Sequence, residues 1–215
     1  MADGILKVGQ ITTSSGSGTI TIGQSGETVN IPSGTTALAS EPADTDEFLV
    51  SDAGTLKRMD YSHIKAGGST PAFFAHLGSN QTGVSDDTWT KVNFNTEVFD
   101  SDGTYDNSSN YRWTPGVAGK SMITTMVWAQ GGSDNTLRRN QTAIYKNGSL
   151  FASSIMNTLD AEEHHRSSVS VSIVDSHDDD DYYEVFCSAD VSSGTVHADA
   201  DGKGTWFCGY KLIGA

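Results

Sequence analysis

The stretch Gly119-Lys-Ser-Met-Ile-Thr-Thr-Met-Val-Trp-Ala-Gln130 decides the fold, because it alternates like a β-strand and yet is apolar on both faces. One face would carry Met122, Met126 and Trp128, and the other Ile123, Val127 and Ala129. An antiparallel strand with one face in water should instead alternate apolar and polar residues. Both faces of this strand must therefore be covered, one of them by a second sheet.

The stretch at 205–213 repeats this pattern, with Trp206, Cys208, Tyr210 and Leu212 alternating with Phe207 and Ile213. By contrast, Ser168-Val-Ser-Val-Ser-Ile173 alternates cleanly, which predicts inward valines and an outward row of serines. Asn147-Gly148 predicts a two-residue hairpin turn, because these residues accept the positive φ angles of a type I′ turn. With 23 glycines, 4 prolines and many turn residues between short apolar runs, the composition predicts an all-β fold.

The order of several strings from residue 71 onward resembles one known family. The strings are Pro71-Ala-Phe-Phe-Ala-His-Leu77, Val92-Asn-Phe-Asn-Thr-Glu-Val-Phe-Asp100, Gly103-Thr-Tyr-Asp106, Tyr111-Arg-Trp-Thr-Pro115, Gly119-Lys120, Tyr145-Lys-Asn-Gly148 and Thr205-Trp-Phe-Cys-Gly-Tyr-Lys-Leu-Ile213. Their order is similar to that of the complement component 1q-like globular head, a relative of the tumour-necrosis-factor jelly rolls. The resemblance implies a ten-stranded jelly-roll sandwich over 71–215, called the head below, that binds rather than catalyses and assembles as a homotrimer.

In such a trimer, the second apolar face of each strand would be covered by the neighbouring protomer. The predicted trimer interface consists of Met122, Met126, Trp128, Trp206, Phe207 and Tyr210. Cys187 and Cys208, the two cysteines of the chain, would lie in opposite sheets and are predicted to be free thiols.

Two segments precede the head. Residues 1–36 alternate apolar and small polar residues and resemble the interlaced shafts of bacteriophage fibres, which predicts a β-rich shaft or virion anchor; the alternative is a disordered Gly/Ser tail. Residues 37–70 predict a neck, with a hairpin around Ser51-Asp-Ala-Gly54, a helix at 61–65 capped by Asp60, and a linker. The neck string 44–60 resembles an element of marine phage tail- and capsid-fibre proteins.

The net charge of −14 argues against nucleic acid as a partner, because phosphates would be repelled. No apolar run is long enough to span a membrane, which predicts no membrane insertion. The start of the chain lacks the basic and apolar regions of a signal peptide, so we expect synthesis in a host cytoplasm and a final place in a virion.

Three groups of residues are candidates for ligand or metal binding. Tyr105, Tyr111 and Trp113 stand in or beside predicted loops, where aromatic rings stack on sugars; core burial is the alternative for Trp113. Asp178, Asp179, Asp180 and Asp181 form an acidic loop that suits calcium, or simply a solvated charged loop. His164-His165 beside Glu162-Glu163 would be a transition-metal or acid–base site, or an exposed polar loop. No cofactor is predicted apart from this candidate calcium.

We expect no enzymatic activity, because no catalytic motif is present and the carboxylates cluster in loops rather than pairing across a groove. The sequence predicts a structural virion protein, a homotrimeric fibre or knob decorating a capsid, neck or tail. Other virion proteins would hold its N-terminal segment, and its head would adhere to a host-surface glycan or protein. The alternative is a soluble bacterial lectin-like trimer, which would have no need of a shaft.

Overall fold

The computed structural model describes residues 40–64, 68–132, 135–158 and 163–213. The chain divides between residues 65 and 66 into two compact units. Within the described ranges no helix is long and apolar enough to cross a membrane. The shaft predicted for 1–36 lies outside the described residues.

The described part of the first unit is an antiparallel hairpin followed by a short helical turn. Strands β1 (Glu47–Asp52) and β2 (Thr55–Asp60) pair around Ala53 and Gly54, whose φ angles of 50° and 83° close the tight turn that the sequence predicts. After β2, the predicted helix is only a 3-10 turn, Tyr61–His63.

The Asp60 side chain does not cap that turn, contrary to prediction. The backbone N–H groups of Tyr61 and Ser62 instead donate to the carbonyls of Asp46 and Asp44, at 2.7 and 3.2 Å. The loop before β1 thus satisfies the donors that a capping side chain would have taken, which leaves no need for a cap.

The second unit is an all-β sandwich of two antiparallel sheets. Its strands are β3 (Ala72–His76), β4 (Gln81–Val84), β5 (Thr90–Lys91), β6 (Thr96–Asp100), β7 (Tyr105–Asp106), β8 (Arg112–Trp113), β9 (Gly119–Gly131), β10 (Leu137–Lys146), β11 (Ser149–Asn157), β12 (Arg166–His177), β13 (Tyr183–Val191), β14 (Val196–Ala198) and β15 (Trp206–Lys211). The described residues of the second unit thus form thirteen strands where ten were predicted, and four of the thirteen, namely β5, β7, β8 and β14, are only two or three residues long.

One sheet has seven strands and the other has six. In the seven-stranded sheet, β9 pairs with β12 along one edge and with β15 and β14 along the other, while β3 joins β15 and is flanked by β6. The six-stranded sheet runs β11-β10-β13-β8-β7, with β5 also on β13. From β9 onward the chain passes repeatedly from one sheet to the other, as expected for a jelly roll.

The alternation predicted from the sequence is present in the strands. In β12, Val169 and Val171 are buried while the intervening serines are exposed. Asn147 and Gly148, with φ angles of 52° and 75°, close the hairpin between β10 and β11. Both local patterns therefore survive in the tertiary structure.

Aromatic rings from both sheets fill the centre of the sandwich. Phe73 stacks on Tyr105 with ring centroids 4.6 Å apart, and it contacts Trp113 and Phe207 at 5.2 and 4.9 Å. Gly209 of β15 makes this packing possible, because a Cβ there would lie 2.9 Å from Cζ3 of Trp113 and 3.1 Å from Cε1 of Phe73. The core therefore needs glycine at this position for reasons of space.

Gly209→Ala should destabilise the head by about 1–3 kcal/mol, because the added methyl group overpacks the ring cluster. Chemical denaturation followed by tryptophan fluorescence measures the change. The matched control is Gly68→Ala, whose Cβ would meet nothing nearer than 3.7 Å and which should leave stability unchanged. Equal stability of the two variants would contradict this account of the core.

Cys187 lies in β13 of the six-stranded sheet and Cys208 in β15 of the seven-stranded sheet, and both are free. Burial raises the pKa of the Cys187 thiol to about 12 and that of Cys208 to about 11. Alkylation of unfolded protein without reductant should add two labels to the intact mass, whereas no added label would reveal a disulfide.

Candidate functional site

The side of the seven-stranded sheet that points away from the core carries a mainly apolar patch, interrupted by Thr124, Ser172 and His76, that is called the outer face below. Register places its residues in cross-strand rows, with Tyr210 opposite Met122 and Ala72, and Trp206 opposite Met126 and His76. The side chains of this surface are Phe74, Met122, Met126, Val174, Trp206, Cys208 and Tyr210. None of them carries a charge at neutral pH.

These side chains remain accessible in the single chain. Val174 is 58% exposed and Tyr210 is 42% exposed, and Phe99 of the neighbouring β6 is 51% exposed. Phe74 and Trp206 lie stacked with their ring centroids 5.9 Å apart. A chain of net charge −14 thus presents an uncharged aromatic and sulfur-containing patch across four adjacent strands, which is typical of a surface that another protein covers.

Four of the six predicted interface residues belong to this patch, namely Met122, Met126, Trp206 and Tyr210. Phe207 does not: it is fully buried and packs on Phe73, so its prediction as an interface residue is wrong. The parity of β15 explains the error, because Phe207 and Gly209 face the core when Trp206 and Cys208 face outward.

Trp128 lies further along the same strand, and its own chain covers much of it. The Arg166 guanidinium carbon lies 5.1 Å from its ring centroid, and the ring packs so closely on Gly204 that no side chain would fit there. Trp128 therefore belongs to the structure of the protomer as much as to the outer face.

Phe74 and Val174 were missed as members of the outer face. The adjacent pair Phe73-Phe74 was a usable signal, since neighbouring residues of a strand point to opposite sides and two aromatics therefore indicate two covered faces. Val174 interrupts a clean alternation of serines on β12, which is a weaker signal of the same kind.

Two of the three aromatic residues proposed for ligand binding lie in the core. Tyr105 is 6% exposed and donates from its hydroxyl to the carbonyl of Phe94 at 3.0 Å. Trp113 is fully buried, and its Nε1 donates to Oγ1 of Thr104 at 3.0 Å. The binding role predicted for these two is wrong because no ligand reaches them; Tyr111, half-buried in the loop before β8, remains accessible.

The acidic loop does not gather its carboxylates around a common point. Asp178, Asp179 and Asp180 are exposed, whereas Asp181 accepts hydrogen bonds from Lys146 at 2.8 Å and from Asn147 at 2.6 Å. The Lys146 hydrogen bond lowers the pKa of Asp181 to about 2. In the described residues no three acidic, histidine or cysteine side chains form a group that could hold a metal ion, so the geometry does not support the predicted calcium site.

Lys146 is instead the centre of a polar cluster beside the acidic loop. Its ammonium group also lies 2.8 Å from Asp175, which accepts a hydrogen bond from the Tyr183 hydroxyl at 2.6 Å. Burial, together with that hydrogen bond to Asp175, raises the pKa of Tyr183 above its usual value. The cluster ties the turn of the β10–β11 hairpin to β12 and to the acidic loop, which is a structural task.

The histidine–glutamate string also has other partners. Glu163 pairs with Arg138 at 3.0 Å, and a hydrogen bond from Ser192, followed by that from Arg138, lowers the pKa of Glu163. Glu162 lies outside the described residues. Since the described residues also contain no group of three possible metal ligands, this pairing favours the exposed polar loop over a metal site.

Ser121 and His177 are hydrogen-bonded, with Oγ 2.7 Å from Nε2, and have the residue types of a nucleophile and its base. Ser121 is fully buried and His177 is 4% exposed. The other ring nitrogen faces the backbone carbonyl of Asp178 at 3.3 Å rather than a carboxylate. No substrate reaches this serine, so the pair fastens β9 to β12.

No protein-family model matches the chain, and no curated protein matches it in sequence. Among solved structures, the globular domain of zebrafish complement 1qA protein matches 66% of this chain and 98% of its own, with 14% identity and a TM-score of 0.46. Murine APRIL matches 66% of this chain and 98% of its own, with 11% identity and a TM-score of 0.47. Eiger TNF from S. frugiperda matches 67% of this chain and 95% of its own, with 10% identity and a TM-score of 0.43.

Proposed function

We propose that this chain is a homotrimeric virion protein of a bacteriophage, a fibre or knob whose head adheres to a host or environmental surface. The observation that carries the proposal is the outer face, a mainly apolar patch across four strands whose Val174 and Tyr210 side chains are 58% and 42% exposed in the single chain. Burying the outer face between three copies removes it from water. This burial stabilises the assembly by roughly 25 cal/mol for each Å² of apolar area.

The threefold state follows from the resemblance of the head to the complement 1q and tumour-necrosis-factor jelly rolls, whose sheets pack around a threefold axis. The N-terminal pattern supports the proposed location in a virion. Residues 1–36 hold too few apolar side chains to form an isolated β module, but three copies sharing one axis would bury them together. A non-enzymatic role agrees with the burial of Ser121 and with the pairing of Asp181 and Glu163 described above.

Adhesion is the activity that such an arrangement serves best. Three identical heads on one stalk multiply a weak contact, because after the first head binds, the others meet the surface at high effective concentration. The excess negative charge of the chain keeps the particles apart and soluble while the heads search for a surface.

Met126→Asp should dissociate the trimer, because three carboxylates would be buried without partners on the outer face. Size-exclusion chromatography with light scattering measures the assembly. Ile155→Asp is the matched control: Ile155 is 53% exposed on the other sheet and should tolerate the same change. Dissociation of both variants, or of neither, would contradict the assignment of the interface.

Alkylation of Cys208 provides a second test of the same interface, since this residue lies on the outer face between Phe74 and Thr124. Its native alkylation should be slow in the parent protein and faster in Met126→Asp, as measured by peptide mapping. Cys187, 1% exposed in the core, should stay slow in both and serves as the internal control.

Deleting residues 1–36 should abolish incorporation into phage particles while leaving a folded, trimeric head, because the apolar strands of the head are complete without that segment. Immunoblots of purified particles measure incorporation, and light scattering measures the assembly of the truncated protein. Truncated heads that still decorate particles would place the anchor elsewhere. A full-length chain that never enters particles would favour the lectin-like alternative.

A further inference from the structure

A cluster of three aromatic rings lies on the opposite side of the molecule from the outer face. Tyr145 contacts Phe186 with ring centroids 4.2 Å apart and Trp89 with centroids 6.2 Å apart. All three residues are half-buried. Their neighbours in the strands, Ile144 and Val185, are fully buried in the core, so the aromatic cluster stands on the solvent side of the six-stranded sheet.

Aromatic rings are unexpected on this side, because a sheet with one face on the core normally presents polar residues on the other. The protomer does not need these rings for its core, which the cluster around Phe73 already fills. Nor do they belong to the outer face, which is on the other sheet. The aromatic cluster therefore calls for a separate explanation.

Charged groups lie directly beside the aromatic cluster. Lys91 pairs with Glu184 at 2.5 Å, and its ammonium group lies 5.8 Å from the centroid of the Phe186 ring. This ion pair already neutralises Glu184, whose side chain is only 9% exposed. Lys91 Nζ also donates a hydrogen bond to the carbonyl oxygen of Asn110, 3.2 Å away. This bond holds the loop that contains Tyr111 beside the aromatic cluster.

Arg112 is the second cation. Its guanidinium carbon lies 4.4 Å from the centroid of the Tyr182 ring, and this stacking holds the planar group in place. Across the described residues, no carboxylate pairs with Arg112. Register puts Arg112 opposite Glu184 of β13 and opposite Asp106 of β7, and it puts Glu184 opposite Tyr145, so Arg112 and Tyr145 stand two strand spacings apart, about 10 Å.

We propose that Trp89, Tyr145, Phe186 and Arg112 form a binding site for a glycan that carries a carboxylate, such as a sialic or uronic acid. Sugar rings present C–H faces that pack on aromatic side chains. A guanidinium accepts a carboxylate in a bidentate pair, and an arginine held by stacking loses little freedom when it does so. One ligand of this class satisfies both the aromatic surface and the unpaired charge.

The local charge of Arg112 favours an acidic sugar over a neutral one at this place. It does so against the net charge of −14, which repels anions from the chain as a whole. The inference rests on the proposed adhesive function and deepens it, because it names the surface and the ligand class. On a trimer, three such sites would face outward, away from the buried interface.

Titration of the full chain by NMR with 3′-sialyllactose and with trigalacturonate tests the site, with lactose as the neutral probe. We expect at least one acidic probe to bind the parent protein and lactose to bind at least tenfold more weakly. Arg112→Gln should weaken acidic-probe binding about tenfold or more, the loss expected for a charged hydrogen-bonded pair. Trp89→Ala should weaken it as well.

The matched controls are Lys203→Gln, which removes one positive charge from an exposed turn, and Phe48→Ala, which removes a partly exposed ring from the β1–β2 hairpin. Neither should change binding. No binding of either acidic probe, equal binding of lactose, or unchanged binding by Arg112→Gln would overturn the inference. Light scattering on each variant separates this result from the proposed function: a trimer that ignores the acidic probes contradicts only the glycan site, and a monomer that binds them contradicts only the assembly.

Discussion

The structure depends on one constraint, which is that the central strand β9 is apolar on both sides. Its inward residues, among them Ile123 and Val127, complete the core of the sandwich. Its outward residues, with those of β15 and β3, form the outer face. The first requirement is met within the protomer, whereas the second would be met by the partner copies that we propose, and the proposed adhesion rests on that assembly.

The core itself depends on a close fit of large rings against Gly209, where any side chain would take up their space. Trp113 reaches from the six-stranded sheet to Gly209 of the other sheet, and Phe73 packs on both Trp113 and Phe207. Such a core specifies how the two sheets are placed on each other. It thereby also fixes the row of residues on the outer face, since residues facing in and out alternate along the same strands.

The sequence predicted the features that depend on neighbours along the chain. The alternation of β12, the turn at Asn147-Gly148 and the doubly apolar character of β9 all follow from local patterns, and the structure contains them. Prediction from the sequence failed where residues distant in the chain determine the surroundings of a side chain. Tyr105 stands beside turn residues and looks exposed, yet Phe73 and Phe207 cover it; Asp181 looks available for calcium, yet Lys146 occupies it.

The candidate binding surfaces likewise differ in how far the sequence predicts them. Met122 and Met126 were predictable from their strand, whereas the aromatic cluster joins Trp89, Tyr145 and Phe186 from three separate strings. No window of sequence contains that juxtaposition, because the pairing of β5, β13 and β10 creates it.

The central claim is that the outer face is buried between three copies of this chain. Fluorescence-detected sedimentation velocity of the full chain at nanomolar concentration tests it most directly, because a weak or accidental association would dissociate under those conditions. The account predicts a single species of three times 22.8 kDa. A species of 22.8 kDa alone would leave the outer face uncovered and would contradict the account.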